Sequence, residues 1–138
     1  MAQDERPAAS GVMPHLTIRD GNAAEAIDFY ARAFGAAESG RHMAEDGKRI
    51  MHAHLTINGG PLMLNDDFPE MHGGGDASPP SGCTLHLQVD DADAWWDRAI
   101  DAGAIVRFPL GDQFWGERYG QVDDPFGFTW SIGGPIKG

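Results

Sequence analysis

His15-Leu-Thr-Ile-Arg-Asp20 decides how this chain is read, because it returns at an offset of 71 residues as His86-Leu-Gln-Val-Asp-Asp91. In the first copy Leu16 and Ile18 fall on one side and His15, Thr17 and Arg19 on the other. In the second copy Leu85, Leu87 and Val89 alternate with Thr84, His86 and Gln88. Period-two alternation of this kind marks a strand with one buried face. Each strand leads through a turn into a helix-period segment. Asp20-Gly-Asn22 precedes Ala23 to Phe34, with Asn22 as a suitable N-cap and Ala23, Ile27, Tyr30 and Phe34 on one stripe. Asp90-Asp91 precedes Ala92 to Ala102, with Trp96 and Ala99 turned inward. Gly35 and Gly103 close the two helices. The helices align better at an offset of 69, and a slip of two residues leaves strand facing unchanged.

Outward from these segments the order continues in parallel. A strand over Arg41 to Ala44 meets the hairpin signal Glu45-Asp-Gly-Lys48. Arg49 to Ile57 alternates, and Asn58-Gly-Gly60 turns into Pro61 to Asn65. The second half supplies Ile105 to Phe108, a long loop, Gly120 to Asp123 and Phe128 to Ile132, with Asp124-Pro-Phe-Gly127 as the last turn. Strand, helix and three strands, twice over, predict an α+β fold of two βαβββ modules whose mixed sheets curl around a cavity. The expected layout is a flexible lead-in over 1–12, module one over 13–66, a Gly- and Pro-rich connection over 67–82, module two over 83–132 and a tail over 133–138.

The 138 residues suffice for one domain of ordinary size, and 41% hydrophobic with 22% charged residues is a globular composition. A net charge of −11 without a basic patch argues against nucleic acid and anionic membranes as partners. No apolar run has the length of a membrane span. The single cysteine, Cys83, requires no oxidising compartment and reads as packing, so a cytoplasmic location is the default expectation.

The runs Gly21-Asn-Ala-Ala-Glu-Ala-Ile-Asp-Phe-Tyr30, Asp46-Gly-Lys-Arg-Ile-Met-His52, Asp112-Gln-Phe-Trp-Gly-Glu-Arg-Tyr-Gly120, Asp124-Pro-Phe-Gly127 and Trp130-Ser131 resemble the PhnB-like branch of the vicinal-oxygen-chelate superfamily, which includes glyoxalase I, bleomycin-resistance proteins and extradiol dioxygenases. The resemblance covers Met13 to Ile132. It implies paired βαβββ modules, a homodimer, and kinship with lyases, isomerases and dioxygenases. It also implies four metal-ligand positions, one on the first and one on the last strand of each module. These fall on His15, on Met63, on Thr84 (or His86 if the strand slips by two) and on Ser131, where relatives carry glutamate. A divalent ion needs three or four N, O or S donors. The inherited metal site is therefore expected to be absent: no cofactor, with an ion held through imidazole as the lesser alternative.

Alternation sends Ile50, His52, His54 and Thr56 to the inner face and Met51, Ala53, Leu55 and Ile57 to the helix side. Four of the six histidines, His15, His52, His54 and His86, then share the inner face. Such a cluster suits contact with a small-molecule ligand or proton transfer near neutral pH, and equally a set of polar residues bonded to neighbours and water. The loop from Gly111 to Gly120 carries Phe114, Trp115, Arg118 and Tyr119, which suit either a lid over the ligand or a plug in the domain. Asp66-Asp67 and Asp90-Asp91 read as turn and cap residues. Gly73-Gly-Gly75 lacks the context of a phosphate loop. Two functions fit: a glyoxalase-type enzyme acting on a small polar substrate, or a protein that sequesters an aromatic or drug-like compound. The expected ligand contacts are His15, His52, His54, His86, Trp115, Arg118 and Tyr119.

Overall fold

The computed structural model describes residues 11–75 and 77–137, so most of the expected lead-in lies outside the described residues. The elements run β1 (His15–Ile18), α1 (Ala23–Phe34), β2 (Ala37–Met43), β3 (Ile50–Ile57), β4 (Gly60–Asp66), a single 3-10 turn (Pro69–Met71), β5 (Thr84–Gln88), α2 (Ala92–Ala102), β6 (Ile105–Asp112), β7 (Glu117–Asp123) and β8 (Thr129–Pro135). They build two four-stranded mixed sheets of identical topology, β1-β4-β3-β2 and β5-β8-β7-β6. In each, the first strand runs parallel to the last and the others pair antiparallel. The βαβββ order expected from the repeat is thus present twice. Two compact units result: the described residues to Ala31 with Gly35–Ser78, and Arg32–Phe34 with the residues from Pro79 onward.

In the first unit Leu16, Ile18, Ala53, Leu55, Ile57, Leu62 and Leu64 are buried, as are Ala23, Ala26, Ile27, Phe29 and Tyr30 of α1. The helix begins at Asn22, but the Asn22 side chain makes no capping bond. Its role passes to Asp66 at the end of β4. Asp66 Oδ1 accepts from Ala23 N–H at 2.8 Å and Oδ2 from Ile50 N–H at 2.7 Å. The carboxylate, 1% exposed, satisfies one of the orphan donors of the helix start and ties β4 to β3.

Two expectations need correction here. Ile50 is fully buried and Met51 is 47% exposed, the reverse of the predicted facing. The cause is a bulge: His42 opposes His52 and Met43 opposes Ile50, which leaves Met51 as the extra residue. Beyond it the alternation resumes as predicted. The second strand also starts earlier than expected, at Ala37, along an exposed edge.

In the second unit Leu87, Val89, Ala92, Ala99, Ala104, Val122, Trp130 and Ile132 are buried. The Phe34 ring lies 4.5 Å from that of Trp130. Helix α2 packs on β6, β7 and β8, and the Asp91 side chain accepts from Ala94 N–H at 3.1 Å as its N-cap. Buried Asp124 organises the turn before β8, accepting from Phe126 N–H, Phe128 N–H and Trp130 Nε1–H. Trp95 and Trp96 are both half-buried. A Cβ on Gly120 would sit 2.7 Å from Trp96 Cζ3, so glycine there lets the helix approach β7. The predicted long loop is a tight hairpin, because β6 extends to Asp112 and β7 begins at Glu117. Strand β8 likewise runs past the predicted Ile132, with Gly133 and Gly134 buried.

Candidate functional site: two polar sheet faces

Each sheet presents a polar face opposite its apolar one. In the first unit His15 is the ladder partner of Met63, and Met63 is that of His54, so three strands bring these side chains into one row. His15 Nε2–H donates to Asn65 Oδ1 at 2.7 Å, and Asn65 Nδ2 donates to the Asp66 carbonyl at 2.7 Å, which fixes the amide orientation. His52 and His54 meet through their Nε2 atoms at 2.5 Å, with ring centroids 4.3 Å apart. Only one of those two nitrogens can hold the intervening proton, so one ring donates and the other accepts. The His15 and His52 rings lie edge to face, 5.6 Å apart. His15, His52 and His54 are therefore brought together. Asn65 was missed by sequence reasoning, although alternation from Met63 places it on the same face.

In the second unit His86 pairs with Ser131 across the β5–β8 ladder, the counterpart of His15 with Met63. That register resolves the choice between Thr84 and His86 in favour of His86. Its neighbours form a hydrogen-bonded chain. Gln88 Nε2 donates to Glu117 Oε2 at 2.9 Å, because a carboxylate can only accept. The amide oxygen is then left to face His86 Nε2, which donates to it at 2.8 Å. In the neutral ring Nδ1 accepts from the Ser131 hydroxyl at 2.7 Å. The tautomer of His86 is thus set by a glutamate two side chains away.

Aromatic rings surround this chain. Tyr119 stacks on His86 with centroids 6.0 Å apart and planes 20° from parallel. Trp115 packs edge-on against Tyr119 at 5.5 Å, and Phe108 at 6.3 Å. Gln121 donates to the Tyr119 hydroxyl at 2.9 Å. Gly133 leaves room below: a Cβ there would lie 2.9 Å from His86 Cε1. Beside this row lies a polar cavity of about 610 Å³ lined by Cys83, Thr84, Arg107, Gln121, Asp123 and Thr129 among others. Cys83, expected to be a packing residue, is exposed at its edge.

Arg118 departs from the group. It neighbours Tyr119 in β7 and points to the other side of the sheet, where Nε and Nη2 grip Asp93 of α2 at 3.0 and 2.9 Å and Nη1 reaches Asp112 at 3.1 Å. Arg118 holds the Asp93 carboxyl below its ordinary range. Phe114, 97% exposed, sits at the hairpin tip with Trp115. Gln121 and Glu117 are the members that sequence reasoning missed; both follow from alternation once β7 is started at Glu117.

The positions at which the resemblance implies metal ligands hold His15 and Met63 in the first sheet and His86 and Ser131 in the second. Met63 offers a soft thioether, Ser131 a neutral hydroxyl, and both His86 nitrogens are engaged, so neither pair suits a hard divalent cation. Among the described residues no three His, Cys, Asp or Glu side chains form a group able to hold an ion.

Comparison with known proteins agrees with the topology. An uncharacterised protein of Mycobacterium bovis, Mb0911c, is 51% identical over 141 residues, spanning 99% of this chain and 89% of its own length. The solved structure of protein PA1353 from Pseudomonas aeruginosa matches with a TM-score of 0.75 at 27% identity, over 94% of this chain and all of that one. The PhnB protein from Bacillus cereus shares the fold, with a TM-score of 0.69 at 19% identity over 89% of this chain and 98% of its own. Residues 12–132 match the sequence model of the Glyoxalase/Bleomycin resistance protein/Dioxygenase superfamily, and the chain belongs to that superfamily.

Proposed function

We propose that the chain is a PhnB-like member of the superfamily that binds a small polar ligand on its histidine-bearing sheet faces, without the usual divalent ion. The observation that carries this reading is the second-unit array. His86 is held in one tautomer by Gln88 and Glu117, is stacked under Tyr119, and adjoins a cavity of about 610 Å³. Rigid aromatic surfaces beside a few oriented polar groups are the usual make-up of a small-molecule site. A planar ligand with polar substituents would lie against Trp115 and Tyr119 and exchange hydrogen bonds with Gln121 and Thr84. The His15, His52 and His54 cluster offers similar contacts on the first unit.

Tryptophan fluorescence during titration of untagged protein with benzamide and benzyl alcohol tests this directly. Saturable binding that falls about tenfold or more in His86→Ala and in Tyr119→Ala, and that survives chelator, is expected. Binding that needs a stoichiometric metal, or that ignores both substitutions, would overturn it. Sequestration without turnover is the second reading. It is favoured because both His86 nitrogens are already bonded, so proton transfer at His86 would first have to break a contact. We also propose a homodimer; light scattering that reports a monomer would remove it.

A further inference from the structure

We propose that the polar face of the first sheet binds one copper(I) ion, held by His52 and His54 of β3 and by the thioether of Met63 beside them on β4. His52 and His54 stand two residues apart on one strand, so both side chains leave the same face of the sheet. Their Nε2 atoms meet at 2.5 Å, and both residues are only half-buried. Two imidazoles whose coordinating atoms converge on one point form a chelating pair. Met63, also half-buried, is the ladder partner of His54. Directly opposed residues on neighbouring strands hold their side chains about 5 Å apart, within reach of a shared ion.

The ion takes the place of the proton between the two rings. Bonds of about 2.0 Å to an ion set its two nitrogens roughly 3–4 Å apart, so opening the contact by about 1 Å admits it. The ring that donated then carries its proton on Nδ1, which turns both Nε2 lone pairs to the ion. This set differs from the ligand positions implied by the family resemblance, which lie on β1 and β4 in this sheet. Here β3 supplies two of the three donors. His15 stays outside the set: its Nε2 donates to Asn65 Oδ1 at 2.7 Å, and its ring stands edge-on to His52 at 5.6 Å as a wall.

The donors decide which ion. Among the described residues no further His, Cys, Asp or Glu joins the pair to make a group of three. Two imidazoles and a thioether are all neutral, so nothing in the set offsets a second positive charge. Thioether sulfur is soft and selects copper(I), whereas calcium and magnesium call for oxygen ligands. Zinc and nickel would use the imidazoles alone and gain little from Met63.

The test titrates the full chain with copper(I) alone, under nitrogen with reductant, in a Cys83→Ser background that lacks the one thiol of the sequence. Competition with a bicinchoninate chromophore should report one ion per chain. His52→Ala and His54→Ala should each weaken uptake about tenfold or more, and Met63→Leu about threefold or more. Zinc binding should be weaker than that of copper(I) and unchanged in Met63→Leu. Copper(I) is diamagnetic, so NMR of the chain with all three donors intact provides a second reading that needs no folded donor variant. The ring signals of His52 and His54 and the Met63 methyl signal should shift together and saturate at one equivalent. The proposal is overturned if no ion is taken up, if zinc binds more tightly than copper(I), if either histidine variant binds as the parent does, or if the Met63 methyl signal stays in place. None of these donors belongs to the second-unit array, which binds its ligand without an ion, so failure here leaves that reading untouched.

Discussion

Substitution of Asp66 by alanine should cost far more than substitution of Asn22, although Asn22 occupies the N-cap position of α1. Asp66 is 1% exposed and accepts two backbone hydrogen bonds, at 2.8 Å from Ala23 and 2.7 Å from Ile50. Bonds to a charged acceptor contribute about 1.5–3 kcal/mol each. Ala23 and Ile50 have no exposed surface, and a capping rotamer of Asn22 would reach the second or third helical amide rather than that of Ala23, so neither lost bond is recovered there. Asp66→Ala should therefore lose about 3–6 kcal/mol, a large share of the ~5–15 kcal/mol that holds a domain together. Asp66→Asn keeps one acceptor and turns an NH2 group toward the other amide, so about half of that loss is expected. Asn22→Ala should stay within about 0.5 kcal/mol, below the ~0.5–2 kcal/mol of a working N-cap. Urea unfolding with an unchanged m-value provides the comparison, and hydrogen exchange at Ile50 provides a local check. An Asp66→Ala loss below about 1 kcal/mol, or an Asn22→Ala loss as large as that of Asp66→Ala, would refute the account.

Four further outcomes are expected. Gly133→Ala places a Cβ 2.9 Å from His86 Cε1, so it should cost about 1–3 kcal/mol by overpacking and move the His86 ring signals in NMR spectra. In Gln88→Ala the restraint on His86 is gone, and ¹⁵N spectra of the ring should show loss of the Nε2–H preference; an unchanged tautomer would mean that Ser131 alone sets it. The Glu70 carboxyl is held down to about 2 by hydrogen bonds from Arg49, against an ordinary 4.5. A lowered carboxyl stabilises the folded state above its unfolded value and ceases to do so as pH falls through the folded one, so Arg49→Met should flatten the acid limb of stability between those two pH values. His72 is raised above 6.5 chiefly by its hydrogen bond to Asp67. Its contribution is therefore complete below pH 6.5 and lost as pH rises through the folded value, and Asp67→Asn should return the His72 NMR titration toward 6.5.

The duplication was legible because it rests on alternation, and alternation survives small errors of register. A slip of two residues between strand and helix offsets leaves strand facing unchanged. What sequence missed were features that depend on partners distant in the chain. Nothing near Ile50 announces a bulge; it arises where β2 pairs with an extra residue opposite it, and it turns Ile50 inward and Met51 outward. Nothing near Asn22 says that its capping role is taken by a carboxylate 44 residues away. Arg118 was grouped with Trp115 and Tyr119 because all three were placed on one loop. Once that stretch is a strand, adjacent residues must oppose one another, and Arg118 turns to Asp93 while Tyr119 covers His86.

The same logic separates the two histidine positions that the repeat makes equivalent. His15 and His86 occupy matching ladder sites, each beside the last strand of its own sheet. Their partners differ: His15 faces a thioether and bonds to Asn65, while His86 lies between a serine and a glutamine anchored by a glutamate. Met63 offers a soft thioether in the first sheet and Ser131 a neutral hydroxyl in the second, and neither matches the carboxylate oxygens that hard divalent ions favour. The β5–β8 ladder presents a hydrogen-bonded polar chain in register instead. Replacing Ser131 by glutamate alone would therefore not restore an ion site: the new carboxylate would accept from His86 Nδ1–H and draw the ring toward its cationic form instead.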